Sequence, residues 1–184
     1  MTETEARTML EQAMTHARAD HTQLVLSGSK EASTRFANNA ITQNVSKADT
    51  TLSVESAYDN KVGAARINQL NADAIADAVR RAEESARNAA PNTEYMPPIE
   101  PCSVPEIAAW DELTAVAAPE TRATGIVEAI KVAEQAGTSA AGSFATEAGF
   151  TAMLNSRGMF AESAEPEGDR SPPLYRDPRA CGHR

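Results

Sequence analysis

The side chains that could hold a catalytic metal are few and scattered. The 184-residue chain has three histidines, His16, His21 and His183, and two cysteines, Cys102 and Cys181. A catalytic zinc usually needs three protein ligands in convergent geometry. On a continuous helix, His16 and His21 would lie about 140° apart around the axis, and neither cysteine belongs to a CxxC or Cys/His pattern. The sequence therefore predicts no metal site.

Patterns for nucleophilic or phosphate chemistry are also missing. The sequence contains no GxSxG, GxxxxGK(S/T) or GxGxxG stretch, so it provides neither a nucleophile elbow nor a phosphate cradle. Asp111 and Glu112 are adjacent carboxylates that could perform acid–base chemistry, but the pair equally fits the N-terminus of a helix. We assign no catalytic residue from the sequence.

Charge and hydropathy exclude several classes of partner. The formal net charge of -9 repels phosphate backbones, so nucleic acid is not an expected partner. No apolar run approaches the roughly 18 residues that cross a bilayer, and no signal peptide opens the chain. We therefore expect no membrane contact and a cytoplasmic location. Because much of the apolar content is alanine, the core is expected to be thin.

Residues 1–90 have the periodicity of one α+β unit. Apolar residues spaced by three and four predict an amphipathic helix from Glu5 to about Ala19. A second helix is predicted from Asp73 to Ala89, with Asn71 as its N-cap. Between the helices, five strand-like runs occupy residues 23–27, 33–37, 41–45, 51–56 and 62–67.

Turn residues connect these runs into hairpins. Asn38 and Asn39 fit a tight turn because asparagine tolerates positive φ, and Asp59–Lys61 supplies a second turn. The predicted fold class is therefore α+β, an antiparallel meander with helices packed on one face.

A proline-rich connector is predicted at residues 91–120, where six prolines prevent long regular structure. A helix from Thr121 to Ala136 follows, with Gly137 at its C′ position. Two strands at 140–146 and 150–154 are expected to pair around a turn at 147–149. Together these elements predict a partial second α/β unit over residues 121–161.

The final segment, residues 162–184, lacks any apolar period and is predicted to be a disordered or frame-shifted tail. A second unit cut short in this way would leave an unpaired strand edge and an uncovered apolar face. Self-association is then expected through the exposed side chains of Phe144, Phe150, Met153, Leu154 and Phe160.

Three stretches, in this order, resemble the TldD/PmbA metallopeptidase family. Residues 33–43 (STRFANNAITQ) are similar to the strand and turn of its first domain. Val62–Ala65, with Asn68 and Leu70, resembles the stretch before its first-domain helix. Residues 155–161 (NSRGMFA) resemble an N-S-x-G-x-F-A turn of the middle domain. The resemblance covers roughly residues 5–161 and is closer to the PmbA-like, metal-free side.

The resemblance implies a role in proteolysis without catalysis by this chain. In the active paralogue a divalent metal, expected to be zinc, is held downstream by an HExxxH helix, and this sequence has no such motif. The implied partners are a paralogous TldD/PmbA-type subunit or a second copy of the chain. The other hypothesis is a free-standing α+β interaction domain without enzymatic activity.

Arg35 and Asn38 lie in the best-matched stretch and are the candidate contacts for a peptide or partner. A structural interpretation stays open for both, because Arg35 also fits a solvent-facing strand position and Asn38 a turn position.

Overall fold

A five-stranded antiparallel sheet in the order β3-β2-β1-β4-β5 organises the chain. The computed structural model describes residues 2–104 and 111–167, with side chains as far as residue 163. The elements are α1 (Glu3–Met14), β1 (His21–Ala37), β2 (Ala40–Tyr58), β3 (Lys61–Ile67), α2 (Ala72–Asn88), α3 (Glu112–Ala115), α4 (Pro119–Gln135), β4 (Gly142–Asn155) and β5 (Phe160–Glu167). The predicted α+β class with an antiparallel sheet is confirmed.

The predicted hairpin turns are present. Asn38 and Asn39 have φ angles of 51° and 57°, and Ala37 pairs with Ala40 across them. Two successive positive φ angles give a two-residue turn whose twist matches that of the flanking strands. Asp59, with φ of 52°, begins the turn between β2 and β3.

The strands are longer than predicted. β1 and β2 each join two of the expected runs into one strand of 17 and 19 residues. The turn predicted at 147–149 is wrong, because β4 continues through these residues and pairs with β1 along its length. Backbone hydrogen bonds to neighbouring strands support the polar and small residues in between, although these residues interrupt the apolar alternation.

The main core lies between one face of the sheet and helices α1 and α2. Leu24 and Leu26 of β1 are fully buried there, together with Leu10 of α1 and Val79 of α2. Thr2 and Glu5 form a capping box at the start of α1, which ends at Met14 rather than near Ala19. The N-cap role of Asn71 is confirmed, since its side chain accepts from the amide of Ala74 at 2.9 Å.

The second half of the chain extends the same sheet. Because β4 pairs with β1, the expected partial second unit has no sheet of its own. Helix α4 packs on β1 and β4 and buries Arg122, Ile126 and Ile130. Gly137 follows the helix with φ of +67°, as predicted. The boundaries that divide residues 1–161 into domains stay predictions.

The irregular tail was predicted to start at residue 162, but regular structure continues beyond that position. β5 continues to Glu167 by pairing with β4, and an edge strand of polar residues needs no apolar period. The rest of that segment, 168–184, lies outside the described residues. In the described part of the chain, no helix is long and apolar enough to span a membrane.

The expected exposure of apolar side chains in the second half is largely wrong. Leu154 is buried, and Phe150 and Phe160 pack against the core. Phe144 remains 41% exposed. Helices α1 and α4 pack against β4, so the surface that was expected to be open is mostly covered.

Candidate functional site

The sheet face opposite the helices carries small polar and charged side chains. Ser27, Ser29 and Thr51 line a shallow concavity of about 500 Å³, together with Arg66 and Glu147. Arg66 donates from Nη2 to the Thr51 hydroxyl at 3.1 Å. Residues at alternate strand positions point to the same face, so these side chains lie opposite the buried leucines of β1. This polar face can offer hydroxyl groups and charges of both signs to a ligand.

Arg35 lines a second depression of about 290 Å³ on the same face. Its other lining residues are Glu31, Ser33, Gln43, Val45 and Lys47. The side chain of Arg35 is exposed, and the register between β1 and β2 shifts immediately after it, before Phe36. Its carbonyl oxygen accepts from the Thr42 hydroxyl at 3.3 Å. The structure thus places Arg35 on an accessible surface, and its contact with a peptide or partner stays a prediction.

Asn38 lies in the exposed β1–β2 turn, beyond the strand end that carries Arg35. Its neighbour Asn39 makes the tertiary contacts. The Asn39 side chain donates to the carbonyl of Thr138 at 3.2 Å and accepts from the amide of Ala140 at 2.7 Å. Asn39 therefore fastens the turn to the segment before β4. Sequence reasoning missed this role, because the partners lie about a hundred residues away.

A buried carboxylate at the opposite end of the sheet was also missed. Glu83 of α2 accepts hydrogen bonds from the amides of Arg18 and Ala19 and from the hydroxyl of Tyr58. It forms an ion pair with Arg87 at 3.3 Å. Burial of the hydroxyl, and then its hydrogen bond to Glu83, raise the pKa of Tyr58. This cluster fixes α2 to the α1–β1 loop and to β2.

The described residues do not assemble a metal site. They contain no group of three or more histidine, cysteine, aspartate or glutamate side chains that could hold a metal ion. His16 follows the end of α1, and His21 begins β1, so the two do not lie on one helix. His183 and Cys181 lie outside the described residues. The described residues therefore do not supply a donor set for the metal that the resemblance implies.

The alternative reading of Asp111 as a helix start is confirmed. Its side chain caps α3 by accepting from the amide of Thr114 at 2.7 Å. That hydrogen bond lowers the pKa of Asp111. A lowered pKa favours the ionised carboxylate, which suits an N-cap and opposes the role of a general acid.

Comparison with known proteins agrees with this architecture. Residues 23–86 match the family profile of PmbA/TldA metallopeptidase domain 1. No curated protein sequence matches the chain. Among solved structures, TldE from Thermococcus kodakarensis superposes with a TM-score of 0.78 at 16% identity, covering 88% of this chain and 37% of that one.

Two further structures are similar, and both are described as proposed modulators of DNA gyrase. The protein from Thermotoga maritima has a TM-score of 0.73 at 15% identity, with 88% of this chain and 37% of that one covered. The protein from Bacteroides thetaiotaomicron has a TM-score of 0.75 at 19% identity, with 89% and 39% covered. This chain thus spans well under half the length of these structures. Residues 23–86 are thus similar to the first domain of PmbA/TldA metallopeptidases, and the chain shares its fold with these structures.

Proposed function

We propose that the chain is a non-catalytic, N-terminal portion of a PmbA/TldD-type peptidase system, in which it handles peptides and assembles with a metal-bearing paralogous subunit. The observation that carries the proposal is the match of residues 23–86 to the family's first domain. The described residues supply no metal donor set, so hydrolysis would have to take place on the paralogue.

The polar sheet face supports a role in peptide handling. Arg35, Lys47 and Arg66 supply positive charge along it, and Glu31 and Glu147 supply negative charge. An extended peptide has polar backbone groups throughout and charges of both signs, so a broad mixed surface suits it without strict sequence selection. The shallow shape predicts weak binding of many peptides rather than tight binding of one.

A second candidate, the free-standing interaction domain, is favoured by the edge of β2. Pairing with β3 covers only Leu52–Tyr58, so residues 40–51 have β1 on one side and, among the described residues, no strand on the other. Ile41 and Val45 are 42% and 46% exposed on this segment. Long unpaired strand edges are templates for strand addition by a partner or by a second copy.

Reconstitution tests the leading proposal. The purified chain is mixed with a TldD-type paralogue that contains HExxxH, and co-elution and cleavage of an unfolded peptide are measured. We expect a complex whose hydrolysis is abolished by a chelator. Arg35→Ala should weaken peptide binding by the chain. Arg80→Ala should leave it unchanged, because Arg80 lies on α2 and forms ion pairs with its helix neighbours Asp77 and Glu84.

The outcomes separate the two candidates. Peptide binding without any complex with the paralogue would favour the interaction domain. If the Arg35 and Arg80 variants bind peptide equally well, the polar face is not the peptide-binding surface. If the chain binds neither peptide nor paralogue, the proposed function is wrong.

A further inference from the structure

The helices leave a gap on their side of the sheet. Helices α1 and α2 pack over Leu24 and Leu26 of β1. Helix α4 lies further along the same strand, where Arg122 donates to the hydroxyl of Thr34. Between these two points the sheet is the floor of a cavity of about 760 Å³. Sites for small ligands commonly measure about 300–1,000 Å³, so this gap has room for one.

Three strands and two connecting segments line this cavity. Alternate residues of β1, β2 and β4 share the helix-covered face and form the floor. The floor includes Gly28, Lys30, Thr50 and Phe150, and the sides include Asn68 after β3 and Val116 at the end of α3. The cavity therefore offers one cation, neutral polar groups and apolar surface in the same place.

The apolar part of the cavity depends on a glycine in the central strand. A Cβ on Gly28 would lie 2.2 Å from Cε1 of Phe150, so the aromatic ring rests directly on the backbone of β1. Val116 is 60% exposed at the side of the cavity. An apolar side chain of a ligand would remove both groups from water, which is favourable.

Lys30 is the cation of this cavity, and it has no counter-ion among the described residues. Its side chain is exposed, and none of the ion pairs in the described part of the chain includes it. Asp49 also borders the cavity, but strand alternation directs its side chain to the polar face. The cross-strand and diagonal neighbours of Lys30 on its own face are all uncharged: Ala48, Ala148, Ser46, Thr50, Thr146 and Phe150.

Two neutral polar side chains of the cavity also have spare hydrogen-bonding capacity. Within the described residues, neither the hydroxyl of Thr50 nor the side-chain amide of Asn68 forms a hydrogen bond. Both groups can donate and accept. They can therefore pair with the N–H or the carbonyl of a peptide group.

We propose that this cavity binds the C-terminal residue of a peptide, with its carboxylate on Nζ of Lys30. The apolar side chain would lie against Phe150 and Val116, and the preceding peptide group against Thr50 or Asn68. A hydrogen bond between two charged groups is stronger than a neutral one, so the carboxylate would fix the orientation.

A peptide C-terminus is the ligand that uses all three kinds of group. A C-terminal apolar residue combines a carboxylate, an apolar side chain and a peptide group. A simple fatty acid lacks the peptide group, and an internal aspartate or glutamate lacks the apolar side chain. The site lies on the opposite side of the sheet from the polar face, and it does not rest on the proposed function.

Three matched ligands test the proposal on the ¹⁵N-labelled full chain. N-acetylleucine, its uncharged amide N-acetylleucinamide, and 4-methylpentanoate, which lacks the acetamido group, are titrated at constant ionic strength. The backbone amide resonances of Lys30, Ala48 and Ala148 are followed by NMR. We expect N-acetylleucine to bind with a dissociation constant roughly in the millimolar range. The amide should bind about tenfold more weakly, and 4-methylpentanoate about fivefold more weakly.

A pair of lysine variants tests the assigned cation. Lys30→Met keeps an unbranched stem and removes the charge, so N-acetylleucine should bind about tenfold more weakly. Lys131→Met is the control, because Lys131 is exposed on α4 and lies outside the lining of the cavity. It should leave the titration unchanged.

Each outcome decides the proposal. Binding that weakens when the charge is lost from the ligand or from Lys30 supports the site. Equal binding of N-acetylleucine and its amide, or equal losses in the two lysine variants, would overturn the role of Lys30. Equal binding of 4-methylpentanoate and N-acetylleucine would overturn the peptide assignment. If no ligand gives saturable shifts at the cavity residues, the proposal is wrong. The three ligands give this answer on the unsubstituted chain even if Lys30→Met does not fold.

Discussion

Gly63 is the position where a single methyl group should damage the fold most. It lies in β3 opposite Ser56 and is buried against α2. A Cβ at this position would approach backbone atoms of Ala82, Ser85 and Ala86 closer than 3.0 Å, with the carbonyl carbon of Ser85 at 2.7 Å. Backbone atoms cannot rotate away as a side chain can. The whole helix would have to move from the sheet by about 1 Å to restore ordinary contact distances.

We expect Gly63→Ala to lower the free energy of unfolding by about 3 kcal/mol or more, at the upper end for overpacking. For a chain of this size, the melting temperature should fall by about 6–12 °C. Urea and thermal unfolding followed by circular dichroism measure both quantities. Gly137→Ala is the control, because Gly137 has a φ of +67° and open space around it. The control substitution should lower the free energy of unfolding by about 1 kcal/mol, through backbone strain alone. If Gly63→Ala lowers the free energy of unfolding by no more than Gly137→Ala does, the inferred close approach of α2 to β3 is refuted.

Three further outcomes follow from the structure. Glu83→Ala should lower the free energy of unfolding in urea by about 2 kcal/mol, because it leaves the partly buried donors of Arg18, Ala19 and Tyr58 without this acceptor. The raised pKa of Tyr58 means that the folded state holds this proton more tightly than the unfolded state. Stability should therefore fall as the pH rises above about 10, and Tyr58→Phe should flatten that slope. The purified chain should retain no stoichiometric zinc after dialysis and should hydrolyse no peptide by itself, as elemental analysis and a peptide cleavage assay can show.

Features that depend on neighbouring residues were predictable from the sequence. Positive φ at Asn38 and Asn39, the cap at Asn71 and the C′ glycine at Gly137 follow from the conformational preferences of single residue types. The face of α2 was predictable because its apolar spacing is regular. The helix ends were less accurate, and α1 stops at Met14 although apolar residues continue beyond it.

Features that depend on pairing between distant segments were not predictable. Glu147, Ala148 and Gly149 have the composition of a turn, yet their backbone pairs with Glu31, Lys30 and Ser29. The pairing satisfies their amides and carbonyls, and this tertiary effect exceeds their weak strand preference. The sequence also suggested Arg35 as a candidate contact but gave no sign of Lys30. The environment of Lys30 is built by residues on three strands and by the segments after β3 and α3.

The alanine content, which suggested a thin core, has a different structural meaning. Ala78, Ala82 and Ala86 are fully buried on α2, and the helix lies so close to β3 that Gly63 has no room for a methyl group. Small side chains allow the helix axis to approach the sheet, and many close contacts then compensate for the small area that each residue buries. Close backbone approach, however, leaves no flexible side chain to absorb a substitution. A core of this kind should therefore tolerate changes on the outer face of α2, such as Arg80→Ala, and resist even one added carbon on its inner face.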